Sequence, residues 1–142
     1  MTSLLPSTLI TAAIASPLVG SVFQIRDPGP SNLVAQCAFT YGSGGTSVDV
    51  YLQTSFDDGA TWVDIANFHF TTSSGTKIIN LSGNTAVTTA VTPTDGSMSS
   101  NTAQDGVLGS RFRVKYQSTG TYAGGTTLQV DVHSQSRLLP FP

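Results

Sequence analysis

The sequence predicts an all-β fold, and three observations predict it. Only 10% of the 142 residues are charged, against about 25% in an ordinary globular domain. All eight acids are Asp and Glu is absent, which removes a main component of helix surfaces. Ser and Thr fill 38 positions, alongside 14 Gly and 7 Pro; Thr favours strands, while Ser, Gly and Pro punctuate turns. The expected architecture is a single-domain antiparallel β-sandwich or barrel with extended apolar termini. A chain of this length can bury a real core but is too short for a propeller.

The elements follow from alternation and turn chemistry. Residues 1–20 read as an N-terminal arm or first strand, 21–135 as the sandwich or barrel domain, and 136–142 as a C-terminal arm. Residues 21–26 form the first convincing strand, ended by the turn signal Asp27-Pro28-Gly29-Pro30. Residues 33–41 form the second, followed by Gly42-Ser43-Gly44-Gly45, which reads as flexible. In the third, 48–56, Val48, Val50 and Leu52 face inward while Asp49, Tyr51 and Gln53 face out. A strand at 62–70 follows, with Ala66, Phe68 and Phe70 on one face. Residues 76–81 and 86–92 are shorter strand candidates. The polar segment 93–106 reads as a loop with little capacity to form a core. Residues 110–117 and 126–133 are expected to form a last hairpin.

Cys37 is the only cysteine, so no intramolecular disulfide is possible. It lies in an apolar alternating run and is expected to be a buried, inert thiol, which suits a reducing compartment. Residues 9–23 are apolar, and Ala13-Ile14-Ala15 imitates a cleavage site. The first basic residue is Arg26, however, so the basic region of a secretory signal is missing. Pro6 and Pro17 also break the run, so it is too short to span a bilayer.

A net charge of −2 with six basic residues argues against nucleic-acid binding. Arg111, Arg113 and Lys115 alternate with Phe112, Val114 and Tyr116. They form either a solvated strand face that resists edge pairing or a docking surface for an acidic partner. His69 and His133, the two histidines, each sit inside a strand, where a solvated side chain is the simplest reading. No nucleophile context such as G-x-S-x-G supports catalysis. Asp57 and Asp58 could hold Ca²⁺ with turn carbonyls, but turn stabilisation accounts for them better. No catalytic residue, metal or cofactor is expected. Tyr41, Tyr51 and Tyr122 are placed on outward or loop positions, where a ring could stack on a sugar or cover a subunit contact.

The ends are apolar: Leu4-Leu5-Pro6 at one, Leu138-Leu139-Pro140-Phe141-Pro142 at the other. Exposed tails are normally polar, so Leu4, Leu5, Leu138, Leu139 and Phe141 must pack on the chain's own base or on a neighbour.

The most specific signal is the turn between residues 48–56 and 62–70. Ser55, Asp57, Gly59 and Trp62 have the spacing S-x-D-x-G-x-x-W, which resembles the Asp-box. That hairpin motif of sialidase propellers and many unrelated β-proteins stabilises the turn and does not catalyse. The longer stretch Val50-Tyr51-Leu52-Gln53-Thr54-Ser55-Phe56-Asp57-Asp58-Gly59-Ala60-Thr61-Trp62 is similar to "V-Y-L-Q-T-S-x-D-G-G-x-T-W" hairpins of small structural proteins of tailed bacteriophages, with Asp58 in place of the commoner Gly.

That resemblance implies a virion structural protein, most like a capsid decoration (cement) protein. Its implied partners are the major capsid protein and copies of itself, with a trimer favoured, and neither nucleic acid nor membrane. It implies a place on the capsid surface after synthesis in the host cytoplasm. A head–tail connector or tail component is the structural alternative. A carbohydrate-binding adhesin using Tyr51 or Trp62 is the alternative from another class.

Overall fold

The computed structural model describes residues 2–24 and 30–136; among these, two large antiparallel sheets pack face to face and a separate two-stranded pair joins two of the loops. The strands in chain order are β1 (Thr2–Leu9), β2 (Leu18–Val19), β3 (Phe23–Gln24), β4 (Pro30–Thr40), β5 (Ser43–Gly44), β6 (Ser47–Ser55), β7 (Val63–Phe70), β8 (Gly75–Ser82), β9 (Arg111–Thr119), β10 (Tyr122–Ala123) and β11 (Thr127–Ser136). The first sheet runs β1-β11-β4-β8, and the second runs β2-β9-β6-β7 with β3 also on β9. The fold is therefore all-β and antiparallel as expected, and of the sandwich and the barrel left open by the sequence it is sandwich-like.

Alternation decides which side chains meet between the sheets. Leu33, Ala35, Cys37 and Phe39 of β4 and Leu128, Val130 and Val132 of β11 face Val48, Val50 and Leu52 of β6, with Phe68 and Phe70 of β7 and Phe112 and Val114 of β9. Phe39 stacks on Phe70 at 5.1 Å between centroids. Cys37 is fully buried, and desolvation pushes its thiol far above its ordinary value, so it stays a neutral apolar filler as expected.

Residues 2–9 are a strand in the sheet and not a free arm. β1 pairs with β11, and Leu4 and Leu5 are both buried in the chain's own core. Each such side chain contributes roughly 1.5–3 kcal/mol, which holds an edge strand that Pro6 interrupts. Of the two packings open to Leu4 and Leu5, on the chain's own base or as partner contacts, they take the first. The chain then crosses to the second sheet: Ile10 N–H bonds Thr126 C=O, and Ile14 and Ser118 exchange hydrogen bonds. Of the strand expected at 21–26, Phe23 and Gln24 form β3 against β9, preceded there by β2 outside the expected range, and residues 25 and 26 lie outside the described residues. The turn expected at Asp27-Pro28-Gly29 and the C-terminal residues Leu138, Leu139 and Phe141 lie outside the described residues.

Two further expectations change. The strands at 110–117 and 126–133 are not a hairpin, because β9 pairs with β6 and β11 pairs with β4, in opposite sheets. Their connection passes through Gly120, Gly124 and Gly125, all at positive φ. It docks on the supposedly flexible Gly42–Gly45 segment through the β5–β10 pair. Tyr122 is fully buried at this crossing and donates to Thr71 C=O at 2.7 Å. A Cβ at Gly45 would lie 2.4 Å from the Tyr122 ring, so a larger residue there would displace it. Residues 86–92 form no strand; their Ala/Val/Thr alternation runs through solvent-exposed chain.

Candidate functional site

The β6–β7 hairpin has the geometry its turn sequence implies. Ser55 Oγ donates to Asp57 Oδ1 at 2.9 Å and accepts from Gly59 N–H at 2.9 Å. Asp57 Oδ1 also accepts from Thr61 N–H at 2.7 Å. These bonds to Thr61, followed by the one from Ser55, hold the Asp57 carboxyl below its usual value despite some desolvation. Asp58 and Gly59 both lie at positive φ, 59° and 89°. The left-handed region explains why Gly is commoner at the first of these positions and why Asp is tolerated there. Trp62 is 8% exposed and packs against the turn near Gly59. All four motif residues thus build the hairpin, with the Asp57 carboxylate bonded to Ser55 and Thr61 within the turn and that of Asp58 beside Arg111. Among the described residues, no group of three His, Cys, Asp or Glu could hold a metal ion.

The basic strand face is neutralised by the chain itself. Arg111 donates to Asp58 C=O at 2.8 Å, and its Nη2 lies 3.6 Å from Asp58 Oδ1. Arg113 donates from Nε to Gln53 Oε1 at 2.7 Å and stacks its guanidinium 4.2 Å from the Trp62 ring. Lys115 Nζ reaches Asp95 Oδ1 at 2.9 Å, and Arg113 Nη2 reaches the same oxygen at 3.3 Å. Burial raises the Asp95 carboxyl, but hydrogen bonds from Lys115 and Gln53 and the two cations outweigh it, and the net shift is downward.

Asp95 belongs to the long connection between β8 and β9, expected to be a loop without a core. It is a strap across the outer face of the second sheet. At its centre Asp64, 3% exposed, accepts from Gln53 Nε2 at 2.8 Å, Thr94 Oγ1 at 2.9 Å and the N–H groups of Gly96, Ser97 and Met98. Backbone bonds from Asp64 N–H to Thr94 C=O, Asn67 N–H to Thr102 C=O and Gln104 N–H to Ile65 C=O fasten it to β7. The pairing of β6 with β7 skips Ile65, a bulge that turns Asp64 outward while Ile65 stays in the core. Asp105 anchors the far end, accepting from the N–H groups of Ser82 and Gly106 and from Thr85 Oγ1. The Ser82 bond, ahead of the others, keeps its carboxyl low.

The tyrosine rings singled out in the sequence are buried or half-buried. Tyr51 is 4% exposed, flanked in register by Asn67 and Lys115. Tyr122 is buried at the crossing, and Tyr41 is half-buried against it, edge-on at 6.2 Å. His69 lies beside Asp49, Nδ1 to Oδ1 at 2.9 Å. The same Asp49 oxygen accepts from Asn67 Nδ2, and His69 N–H donates to Asn101 of the strap. This cluster secures the strap's edge, so His69 is less solvated than expected, whereas His133 is exposed.

Among the described residues, no comparable segment covers the outer face of the first sheet. Val34, Gln36 and Ala38 of β4, Thr76, Ile78 and Asn80 of β8, and Gln129, Asp131 and His133 of β11 share it in register. Ile78 is 62% exposed and Val34 37%. Asp131 lies low on the face and accepts from Gln129 Nε2 at 3.0 Å. The result is a broad, four-stranded and nearly uncharged surface. It is the candidate site, and sequence reasoning missed it because alternation cannot say which of two outer faces a distant loop will cover. Among the described residues no helix is long and apolar enough to cross a membrane. No protein-family model, curated protein or solved structure matches this chain.

Proposed function

We propose that this chain is a non-enzymatic structural protein of a virus particle, a capsid decoration protein that lies on the shell and reinforces it. The observation that carries the reading is the contrast between the two outer faces. On the second sheet the charged side chains Asp64, Asp95, Arg113 and Lys115 are satisfied by one another and by the strap. The first sheet offers Val34, Gln36, Ile78 and His133 on an open plane. A neutral sheet face can be covered by a partner without the desolvation penalty that buried charges impose. A wide, shallow plane suits adhesion to another protein surface better than enclosure of a small ligand. The phage-like hairpin around Ser55, Asp57, Gly59 and Trp62 supports the same reading. The partners it implies are the major capsid protein and further copies of this chain, with a trimer favoured.

The adhesin alternative loses its rings, since Tyr51 and Trp62 are buried. The connector or tail alternative differs in stoichiometry. Quantitative mass spectrometry of purified particles, referenced to the major capsid protein, separates them. Decoration requires a copy number on the order of hundreds, as expected when a small module covers a shell by multivalent placement. About a dozen copies or fewer would move the protein to the connector or tail, and absence from particles would overturn the reading.

A further inference from the structure

Asp131 is the only carboxylate that the described residues place on the open face of the first sheet, and no Lys or Arg accompanies it there. It stands in the row Ser3, Asp131, Gln36 and Ile78 across β1, β11, β4 and β8. At 9% exposure it is almost as deep as Asp64, yet the two are provided for very differently. Asp64 receives five donors, whereas Asp131 receives Gln129 Nε2 alone among the described residues. Beside it in register, the Ser3 hydroxyl is buried and has no hydrogen-bond partner among them. Buried polar groups are nearly always met, so this row holds hydrogen-bonding capacity that the described residues leave unused.

A partner lying flat on this face would strip the remaining water from that carboxylate. One neutral donor does not offset the loss, so the partner must bring the opposite charge. A guanidinium suits the row better than an ammonium. Its planar fork can meet both Asp131 oxygens and still direct an N–H toward the amide oxygen of Gln36, one strand spacing of about 4.8 Å away. The rest of the face is neutral, so this single charge fixes where on the plane a partner's cation can sit. We propose that Asp131 is the specificity point of the open face, receiving an arginine side chain from the protein on which that face docks. The partner's identity rests on the particle reading, but the chemistry of the site can be read without particles.

The test titrates the ¹⁵N-labelled full-length chain with N-acetyl-arginine amide, using the matching citrulline derivative as the uncharged control. Saturable shifts are expected at the amides of Ser3, Gln36 and Asp131 and at the Gln129 side-chain amide. Citrulline should bind at least about fivefold more weakly, and added salt should weaken the arginine response. Asp131→Asn keeps the size of the side chain and an oxygen for Gln129, so its spectrum should stay folded while the arginine response disappears. No response to arginine, an equal response to citrulline, or a response that survives in Asp131→Asn would overturn the site. Co-sedimentation with particles separates the two readings. An arginine response without attachment of the wild-type chain would overturn the particle reading and leave the site standing. Attachment undiminished in Asp131→Asn would overturn the role of Asp131 in docking and leave the particle reading standing.

Discussion

Asp64 concentrates the energetics of the covered face in one side chain. Its two oxygens receive five donors, from Gln53, Thr94, Gly96, Ser97 and Met98. A carboxylate buried to this degree is tolerated only because each lone pair is met. Removing it strands those donors beneath the strap, each lost bond costing about 1–3 kcal/mol. Asp64→Ala is expected to destabilise the protein by about 3–5 kcal/mol in urea titration. Asp58→Asn, which keeps a side chain tolerated at positive φ at a position whose side chain is 85% exposed, should change stability by less than about 0.5 kcal/mol. Equal midpoints for the two variants would mean that the network is not a stability determinant. The contrast also shows which residue roles a sequence reveals. Ser55, Asp57, Gly59 and Trp62 bond or pack within a few residues of one another, so their spacing carries their role. The partners of Asp64 on the strap lie 30 to 34 positions away, and nothing local to Asp64 announces them.

The strap is an element without regular structure, held by carboxylates at its middle and end. Asp95 and Asp105 both titrate lower in the folded chain than their ordinary value of 3.8, so their ionised forms favour the closed arrangement. That contribution is complete above the unfolded value and is lost as pH falls through the lower folded values. Amide protection at Gly96, Gln104 and Gly106 should therefore hold constant from pH 7 to about 5 and fall as pH drops below about 4, ahead of core amides on β4 and β11. Parallel loss in strap and core would show that the strap has no separate acid sensitivity. Period-two alternation with apolar inward positions located β4, β6, β7, β9 and β11, because that pattern is what burial on one face requires. The same alternation misled at residues 86–92, where Val87 is 42% exposed and no neighbouring strand pairs with it. It also could not tell a hairpin from a sheet crossing. Residues 110–117 and 126–133 pattern alike whether they pair with each other or with β6 and β4.

At the scale of the whole fold, the decisive asymmetry among the described residues is one covered sheet face and one open one. If the open face docks on the shell, a charge placed at its centre must be desolvated on contact without a partner, which opposes binding far more than folding. Ile78 is the most exposed large apolar side chain on that face, and it faces Gln36 across β8 and β4. Ile78→Lys combined with Gln36→Lys should leave circular dichroism unchanged and stability within about 1 kcal/mol, since exposed positions tolerate substitution. The same variant should lose attachment to particles by tenfold or more in a co-sedimentation titration. Thr88→Lys, on the exposed strap, controls for added charge and should attach normally. Full attachment of the double variant would remove the first sheet as the docking face and leave the exposed apolar strip at Leu18, Val19 and Val22 as the surface to test next. Loss in the double variant alone would tie particle binding to the face that the chain leaves uncovered. The strap would then have a role beyond stability, because by closing one sheet it restricts a two-sided sandwich to a single orientation on its partner.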